Sequence, residues 1–192
     1  MILSELTSLL FQEINFNLPG EQAHELMAPY KREKASSINI PDKNPKQSAV
    51  LMLIYPKNDI PHFTLIQRTA YEGTHGGQIS FPGGKQEVEE SLKETALRET
   101  FEEIGVAPDK IQVLGEITQI YIPPSNFLVS PFVGFVDFEP VFTPEVKEVE
   151  EIIEVKISDL TDDSNIKQKK IKVGKYTETP VLIDVPYFDL NH

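Results

Sequence analysis

Three glutamates close together in the chain, Glu99, Glu102 and Glu103, are the side chains best suited to chemistry. At about 100° per residue they fall within roughly 100° of arc, on one face of a helix. Three like charges at this spacing destabilise an isolated helix, whereas a divalent cation would reverse that cost because hard cations prefer carboxylate oxygen. A glutamate-rich helix face is more often simply solvated, so the spacing alone leaves both interpretations open.

Local signals define the helix that carries these acids. Ser91 and Glu94 form a capping box, in which the serine hydroxyl accepts from the Glu94 amide and the glutamate carboxylate reaches back. Gly105 is placed to end the helix in a left-handed conformation. The predicted core side of the helix consists of three apolar residues: Leu97, Phe101 and Ile104.

The segment before the helix, Phe81-Pro82-Gly83-Gly84, is predicted to end a strand. Paired glycines there let backbone carbonyls approach an ion or a phosphate closely. Arg98 lies among the acids, and Glu90 stands eight residues before it, so an ion pair between the two would pin the loop to the helix. These features favour metal binding over a solvated face.

Residues 84–106, GKQEVEESLKETALRETFEEIGV, resemble the Nudix box, G-x5-E-x7-R-E-U-x-E-E-x-G-U, in which U is a bulky aliphatic residue. Eight positions are in register: Gly84, Glu90, Arg98, Glu99, Glu102, Glu103, Gly105 and Val106. Thr100 departs from the pattern at the first U position. The resemblance implies the Nudix fold, an α/β (α+β) architecture with a mixed β-sheet sandwiched between helices.

The resemblance also implies a role for the residues in and around the box. The implied ligands of Mg²⁺ or Mn²⁺ are three carboxylates and one backbone carbonyl: Glu99, Glu102, Glu103 and Gly83. Glu90 and Arg98 are the implied structural pair. The implied reaction is attack of water on a phosphorus of a pyrophosphate, assisted by metal ions that polarise phosphoryl oxygens and lower the pKa of a bound water. Glu102, Glu103 and Glu148 are the candidate catalytic carboxylates, as base or as water-orienting group; the alternative for Glu148 is a surface acid.

The flanking segments resemble those of coenzyme A pyrophosphatases. The segment before the box is similar to L-L-T-x-R-[SA]-x3-R-x3-G-x3-F-P-G-G, and it keeps Leu65, Arg68, Gly77 and FPGG. Gly73 replaces the second arginine, which removes a bidentate phosphate donor that Arg68 or Lys85 could partly replace. Residues 122–134 resemble the S-x-[FY]-x-V-x-P-[FY]-V-G segment of the same subfamily.

Six residues are expected to contact the substrate: Arg68, Gln78, Lys85, Ser125, Asn126 and Phe127. For the last three, the alternative is an ordinary proline-rich loop. His75 is expected to be a loop-anchoring donor and not a metal ligand, because its neighbours are glycines and no second histidine stands at ligand spacing.

Residues 1–46 are predicted to be an N-terminal helical extension and loop, with helices near residues 4–14 and 21–27, and residues 47–192 a Nudix domain. The predicted strands are 49–55, 62–68, 111–121, 128–137, 151–157, 166–173 and 179–185, the last two forming a hairpin through residues 174–175. In the subfamily, a tryptophan-containing stretch and a C-terminal helix follow, but this chain has no tryptophan and ends at His192. Either the chain is truncated or it lacks that helix. Without the helix we expect exposed apolar surface, which a homodimer contact could cover.

The composition limits the possible partners. With 18 basic and 30 acidic residues among 192, the net charge is −12, so the chain repels nucleic acid and would need a metal bridge to a polyanionic substrate. The absence of cysteine rules out disulfides, thiolate metal sites and a cysteine nucleophile. No apolar run approaches the roughly 18–20 residues that span a bilayer, and the N-terminus lacks a signal peptide's basic region. We therefore expect a cytoplasmic protein with a small-molecule substrate and no membrane association.

The leading prediction is hydrolysis of coenzyme A or acyl-coenzyme A at the pyrophosphate, giving 3′,5′-ADP and 4′-phosphopantetheine. One alternative is a Nudix pyrophosphatase acting on ADP-ribose, NADH or another nucleoside diphosphate derivative. The other is a ligand-sensing Nudix domain that binds without cutting. The intact set of Glu99, Glu102 and Glu103 argues against the sensor, because a binder does not need all three.

Overall fold

The computed structural model describes residues 1–27, 43–70, 76–173 and 181–190. Four α-helices lie wholly in these ranges: α1 (Leu3–Phe16), α2 (Glu21–Met27), α3 (Leu92–Ile104) and α4 (Ile157–Leu160). Two short 3-10 helices are Pro108–Lys110 and Asp163–Asn165. The strands are β1 (Lys46–Lys57), β2 (Ile60–Arg68), β3 (Ile79–Ser80), β4 (Gly83–Lys85), β5 (Gln112–Glu116), β6 (Ile120–Ile122), β7 (Phe127–Phe135), β8 (Val149–Lys156), β9 (Ile166–Val173) and β10 (Val181–Phe188). The predictions for Gly73, His75 and the turn at residues 174–175 lie outside the described residues.

Strands β1 to β8 form one mixed sheet. Its main order is β3-β2-β1-β7-β5, and β4, β6 and β8 pair with β1, β7 and β2. Only β1 and β7 run parallel among these pairs of described strands, which confirms the predicted mixed sheet. The antiparallel pairing of β9 with β10 in a second sheet confirms the predicted hairpin partners.

The single strand predicted at residues 111–121 is wrong, since the structure divides it into β5 and β6. Both pair with β7, but Glu116 faces Phe132 while Ile120 faces Val129. Glu116 and Ile120 are therefore four residues apart, whereas their partners on β7, Phe132 and Val129, are only three residues apart. Pro131 lies opposite this interruption and has no N–H to donate to a partner strand, so the ladder breaks there.

The loop that precedes α3, the acid helix that carries Glu99, Glu102 and Glu103, is inserted between two strands. β1 and β2 pair with each other only at residues 54–57 and 60–63, next to their connecting turn. Beyond that point β4 pairs with β1, and β3 pairs with β2. Gly83 lies so close to β1 that a Cβ at this position would overlap the Ala49 carbonyl and the Val50 Cα. The loop backbone is thereby held against the centre of the sheet.

Helices cover both faces of the sheet. On one face, Ala96 and Ile104 of α3 pack with Leu51 of β1 in one buried cluster. On the other face, Leu6 of α1 packs with Ile54 of β1 in a second cluster. Helix α1 therefore covers part of the second face. The exposed apolar surface expected without a C-terminal helix and the domain boundary at residue 46 both stay predictions. No helix in the described ranges is long and apolar enough to cross a membrane.

The ends of α3 are where its caps predict. Ser91 and Glu94 cap each other reciprocally, and Gly105 ends the helix with φ 79°. The prediction that Phe101 lies on the core side is wrong, because Phe101 is half exposed while Thr100 and Glu103 are fully buried. The helix is turned so that Glu103 faces the inserted loop, and this places one of the predicted acids inside the protein.

Candidate active site

Glu103 is the most deeply buried of the predicted acids, with 1% of its surface exposed. Its Oε2 accepts a hydrogen bond from the Gly83 N–H at 2.8 Å, and its Oε1 accepts one from Arg68 Nη1 at 3.1 Å. Burial raises the pKa of Glu103 to about 7, against the opposing influence of Gly83 and Arg68 and with the help of nearby Glu99 and Glu148. A carboxylate in this setting gains strongly from a further positive charge.

Glu99 lies one turn before Glu103 and contacts the next residue of the loop. A Cβ on Gly84 would overlap the Glu99 carboxylate, so the absent side chain of Gly84 leaves the space that this carboxylate occupies. Burial raises the pKa of Glu99, although Arg98 opposes the change. Two successive acids of α3 thus contact two successive glycines of the loop.

Arg98 binds three carboxylates at once. Its Nε and Nη2 donate to the two oxygens of Glu90 at 3.0 and 2.9 Å. Its Nη1 donates to Glu99 at 3.0 Å and to Glu102 at 2.9 Å. The hydrogen bond from Arg98 is the main cause that lowers the pKa of Glu90 to about 2. The contact between Glu90 and Arg98 is as predicted from the sequence, whereas the contacts with Glu99 and Glu102 were not anticipated.

The predicted metal ligands supply hard oxygen donors of the kind that Mg²⁺ and Mn²⁺ prefer. The donor set fits such an ion, because the Glu103 charge is buried and the space at Gly84 admits the Glu99 carboxylate. Within the described residues, no three acidic or histidine side chains converge as a preformed metal cluster. Arg98 and Arg68 are instead hydrogen-bonded to these acids, and the ligand assignment stays a prediction.

A cavity of about 280 Å³ opens beside the Gly83–Gly84 loop, near the lower limit for small-molecule sites. Five of the six predicted substrate residues line it: Arg68, Gln78, Lys85, Ser125 and Phe127. Ser48 and Val50 of β1 also line the cavity. Successive side chains of a strand point to opposite faces, so this cavity lies on the face of the sheet opposite to α3.

Asn126, the sixth predicted substrate residue, is used within its own turn. It has a positive φ of 54°, its side-chain oxygen accepts from Tyr121 Oη at 3.0 Å, and its side-chain nitrogen donates to the Lys43 carbonyl at 3.0 Å. These contacts join the β6–β7 turn to the residues that lead into β1. Through these contacts Asn126 stabilises the turn that contains Ser125 and Phe127.

A second cavity, of about 350 Å³, shares Arg68 with the first and is also lined by Thr69, Lys147 and Glu148. The Glu148 carbonyl accepts from the Thr69 N–H at 2.9 Å. The negative charge of Glu148 contributes to the raised pKa of both Glu99 and Glu103. The structure thus brings Glu148 near the acid helix although 45 positions separate it from Glu103; its part in catalysis stays a prediction.

Sequence reasoning missed several residues of the first cavity. Ser80 lines the wall beside Gln78, and a signal for it existed, because residues two apart in an extended segment face the same side. The other missed lining residues resemble ordinary strand residues: Ser48, Val50, Ile122 and Val129. Their common position follows only from the order of the strands.

The chain is similar in sequence to known proteins. The chain matches the family model for the NUDIX domain over residues 45–174. It is 37% identical over 119 residues to the Uncharacterized Nudix hydrolase NudL of Pectobacterium atrosepticum, covering 59% of each chain. It is 31% identical over 124 residues to the Mitochondrial coenzyme A diphosphatase NUDT8 of Homo sapiens, covering 63% of this chain and 52% of that protein. The chain spans about half to three fifths of the length of the curated relatives it matches.

One solved structure that resembles this chain is a Caenorhabditis elegans Ap4A hydrolase binary complex. The TM-score is 0.50 at 15% sequence identity, and the match covers 60% of this chain and 82% of that chain. At this identity the likeness concerns the fold alone, since one fold serves many substrates. It supports the predicted α/β architecture with a mixed sheet.

Proposed function

This chain belongs to the Nudix family, and we propose that it is a divalent-metal-dependent hydrolase that cleaves the pyrophosphate of coenzyme A or acyl-coenzyme A. The products would be 3′,5′-ADP and 4′-phosphopantetheine or its acylated form. The observation that carries the proposal is the meeting of two features at Gly83 and Gly84. The acids of α3 contact these glycines from one side, and the cavity is lined by the same glycines.

The placement of charge suits a diphosphate at this meeting point. Arg68 and Lys85 line the cavity beside the two glycines, and Arg68 Nη1 lies 3.5 Å from the Gly83 carbonyl. Guanidinium and ammonium groups both bind phosphate oxygens. A divalent ion bound by the acids of α3 would polarise the phosphoryl oxygens and neutralise charge on the leaving phosphate.

The candidate catalytic acids differ in their surroundings. Glu103 is buried against Gly83 and Arg68, whereas Glu148 is exposed and lines the adjoining cavity. We assign to Glu148 the acceptance of a proton from the attacking water, because an exposed carboxylate beside the cavity can reach a solvent molecule. The oxygen of that water bonds to phosphorus while the bridging P–O bond breaks, and the second phosphate leaves.

The relative that supports the substrate assignment is the mitochondrial coenzyme A diphosphatase, 31% identical over 124 residues. The positions of the two segments that resemble this subfamily also support the proposal. Arg68 of the upstream segment and Ser125 and Phe127 of the downstream segment line one cavity, although Arg68 and Ser125 are 57 positions apart in the chain. A shared substrate site would account for both resemblances.

The proposal is tested by a hydrolysis screen in Mg²⁺ and in Mn²⁺ with coenzyme A, acetyl-coenzyme A, ADP-ribose, NADH and deoxynucleoside triphosphates. We expect coenzyme A compounds to have the highest kcat/KM. Glu102→Gln should lower it at least about a hundred-fold, because losing a metal ligand removes several kcal/mol of transition-state stabilisation. Glu87→Gln, an exposed acid of the same loop, is the matched control and should leave the rate unchanged.

Other outcomes would change the assignment in defined ways. A preference for ADP-ribose or NADH that Glu102→Gln abolishes would keep the pyrophosphohydrolase and contradict the coenzyme A assignment. Tight binding without turnover of any compound would favour a ligand-sensing domain. Equal loss of activity in Glu102→Gln and Glu87→Gln would contradict the role of the acid helix.

A further inference from the structure

Two serine hydroxyls beside the cavity lack a hydrogen-bond partner among the described residues. The Oγ atoms of Ser80 and Ser125 are both buried, and both residues line the same cavity. A buried hydroxyl without a partner is costly, and native proteins rarely retain one without a reason. A serine side chain has three staggered positions about χ1, so a bound ligand could meet each oxygen after a rotation of the side chain.

The strand order places these hydroxyls on different sides of the cavity. Ser80 belongs to β3, which pairs with β2, and Ser125 lies in the turn between β6 and β7. Ser48 and Val50 of β1 line the cavity between them. The Ser48 hydroxyl differs from the other two, because it donates to the Leu128 carbonyl at 3.5 Å. A ligand that crosses β1 could therefore contact Ser80 and Ser125 together.

The remaining walls decide which kind of ligand fits. Five apolar side chains line the cavity: Val50, Phe81, Ile122, Phe127 and Val129. Arg68 and Lys85 are the charged residues among the described lining residues. Both lie at the Gly83–Gly84 end of the cavity, because Arg68 contacts the Gly83 carbonyl and Lys85 directly follows Gly84. Lys46 Nζ lies 5.6 Å from the centroid of the Phe127 ring, but Lys46 is not among the residues that line the cavity, and burying a charged group against apolar walls is unfavourable. The predominance of apolar side chains in the walls therefore favours an uncharged arm of the ligand in the cavity.

Building on the proposed function, we infer that this cavity binds the pantetheine half of the substrate, with Ser80 and Ser125 as specificity-determining residues that pair with its amide or hydroxyl groups. Pantetheine is an uncharged, mainly aliphatic arm that carries such groups at intervals, which matches two separated hydroxyls between apolar walls. The 3′,5′-ADP half carries two phosphates, so it suits the end of the site near Arg68 and Lys85 and the solvent beyond that end.

The test is an NMR titration of the 192-residue chain without divalent ions, using pantetheine and 3′,5′-ADP as separate probes. The variants are Ser80→Ala and Ser125→Ala. The matched control is Ser130→Ala, a buried serine of β7 whose hydroxyl already accepts from Gln119 Nε2 at 2.8 Å. Each cavity variant should raise the Kd for pantetheine about three- to ten-fold, the range for one neutral hydrogen bond. The Kd for 3′,5′-ADP, and both values in Ser130→Ala, should stay unchanged.

Three results would overturn the inference: no binding of pantetheine to the wild type, an unchanged pantetheine Kd in both cavity variants, or a loss that falls on 3′,5′-ADP instead. Comparing two probes in one variant separates a local effect from a general disturbance of the fold. Binding is measured without turnover, so it is independent of the hydrolysis screen. Coenzyme A hydrolysis with unchanged pantetheine binding would overturn only this inference, whereas selective loss of pantetheine binding without hydrolysis would support it and contradict the proposed function.

Discussion

Replacing Glu90 by glutamine should measure how firmly the loop before α3 is held to the helix. Glu90 accepts hydrogen bonds from Arg98 Nε and Nη2 at 3.0 and 2.9 Å, from Thr95 Oγ1 at 2.8 Å and from the Glu87 N–H at 2.8 Å. Its side chain is 15% exposed. The substitution keeps the size of the side chain but removes its charge and one acceptor oxygen.

The size of the effect follows from the pKa of Glu90, which these contacts lower from 4.5 to about 2. At about 1.36 kcal/mol per pKa unit, the difference corresponds to about 3 kcal/mol in favour of the charged form. Solvent at the rim of the loop screens the ion pair. We therefore expect Glu90→Gln to lower the free energy of unfolding by about 1–2 kcal/mol at pH 7.

The effect should depend on pH in a defined direction. Because the pKa of Glu90 is lower in the folded than in the unfolded chain, its contribution to stability is fully present above about pH 4.5. It is lost as the pH falls towards about 2, where the folded carboxylate takes up a proton. The difference between wild type and Glu90→Gln should therefore narrow below about pH 4.5.

The assay is urea unfolding followed by far-ultraviolet circular dichroism, since the chain has no tryptophan to report by fluorescence. Glu87→Gln is the control, because its side chain lies in the same loop and is exposed; it should change the unfolding free energy by less than about 0.5 kcal/mol. A Glu90→Gln protein as stable as the control at pH 7 would refute the reasoning. A difference that does not change between pH 6 and pH 3 would refute the attribution to the charge.

Two further substitutions test the predicted metal ligands and the core. Gly84→Ala adds a Cβ where the Glu99 carboxylate lies, so we expect Mn²⁺ to bind about 10- to 100-fold more weakly; an unchanged Kd by isothermal titration calorimetry would contradict the assignment of Glu99 as a ligand. Leu6→Ala removes a side chain of α1 that is 4% exposed and packs with Ile54. It should lower the free energy of unfolding by about 2–4 kcal/mol, and a loss below about 0.5 kcal/mol in urea would show that α1 is not part of the core.

The features that could be predicted from the sequence depend on residues near one another in the chain. Ser91 and Glu94 are three positions apart and cap α3 as expected, and Gly105 ends it. The spacing of the Nudix box likewise predicted that Arg98 would meet Glu90. The cap hydrogen bonds join residues within one helical turn, so local geometry determines them. The Glu90–Arg98 pair joins the preceding loop to the helix, and it was predicted from the spacing of the box.

The buried side of α3 was only partly predictable. Ile104 is buried as expected, but Phe101 is exposed and Glu103 is buried in its place. Hydrophobicity alone favours burial of the aromatic ring. Here Glu103 is buried and Phe101 is exposed, because the Gly83 N–H and Arg68 donate hydrogen bonds to the Glu103 carboxylate. These hydrogen bonds offset the cost of burying the carboxylate.

The sequence by itself thus determined the family, the acid helix and its caps, and five of the thirteen residues that line the cavity beside Gly83 and Gly84. Only the tertiary structure decided that Arg68 meets Glu103, that Ser80 and Ser125 share one cavity, and that α1 covers a face of the sheet. These contacts join residues 35 or more positions apart. They depend on the register of the strands and on the insertion of β3 and β4 between β1 and β2, and no local pattern encodes which distant segments will pair.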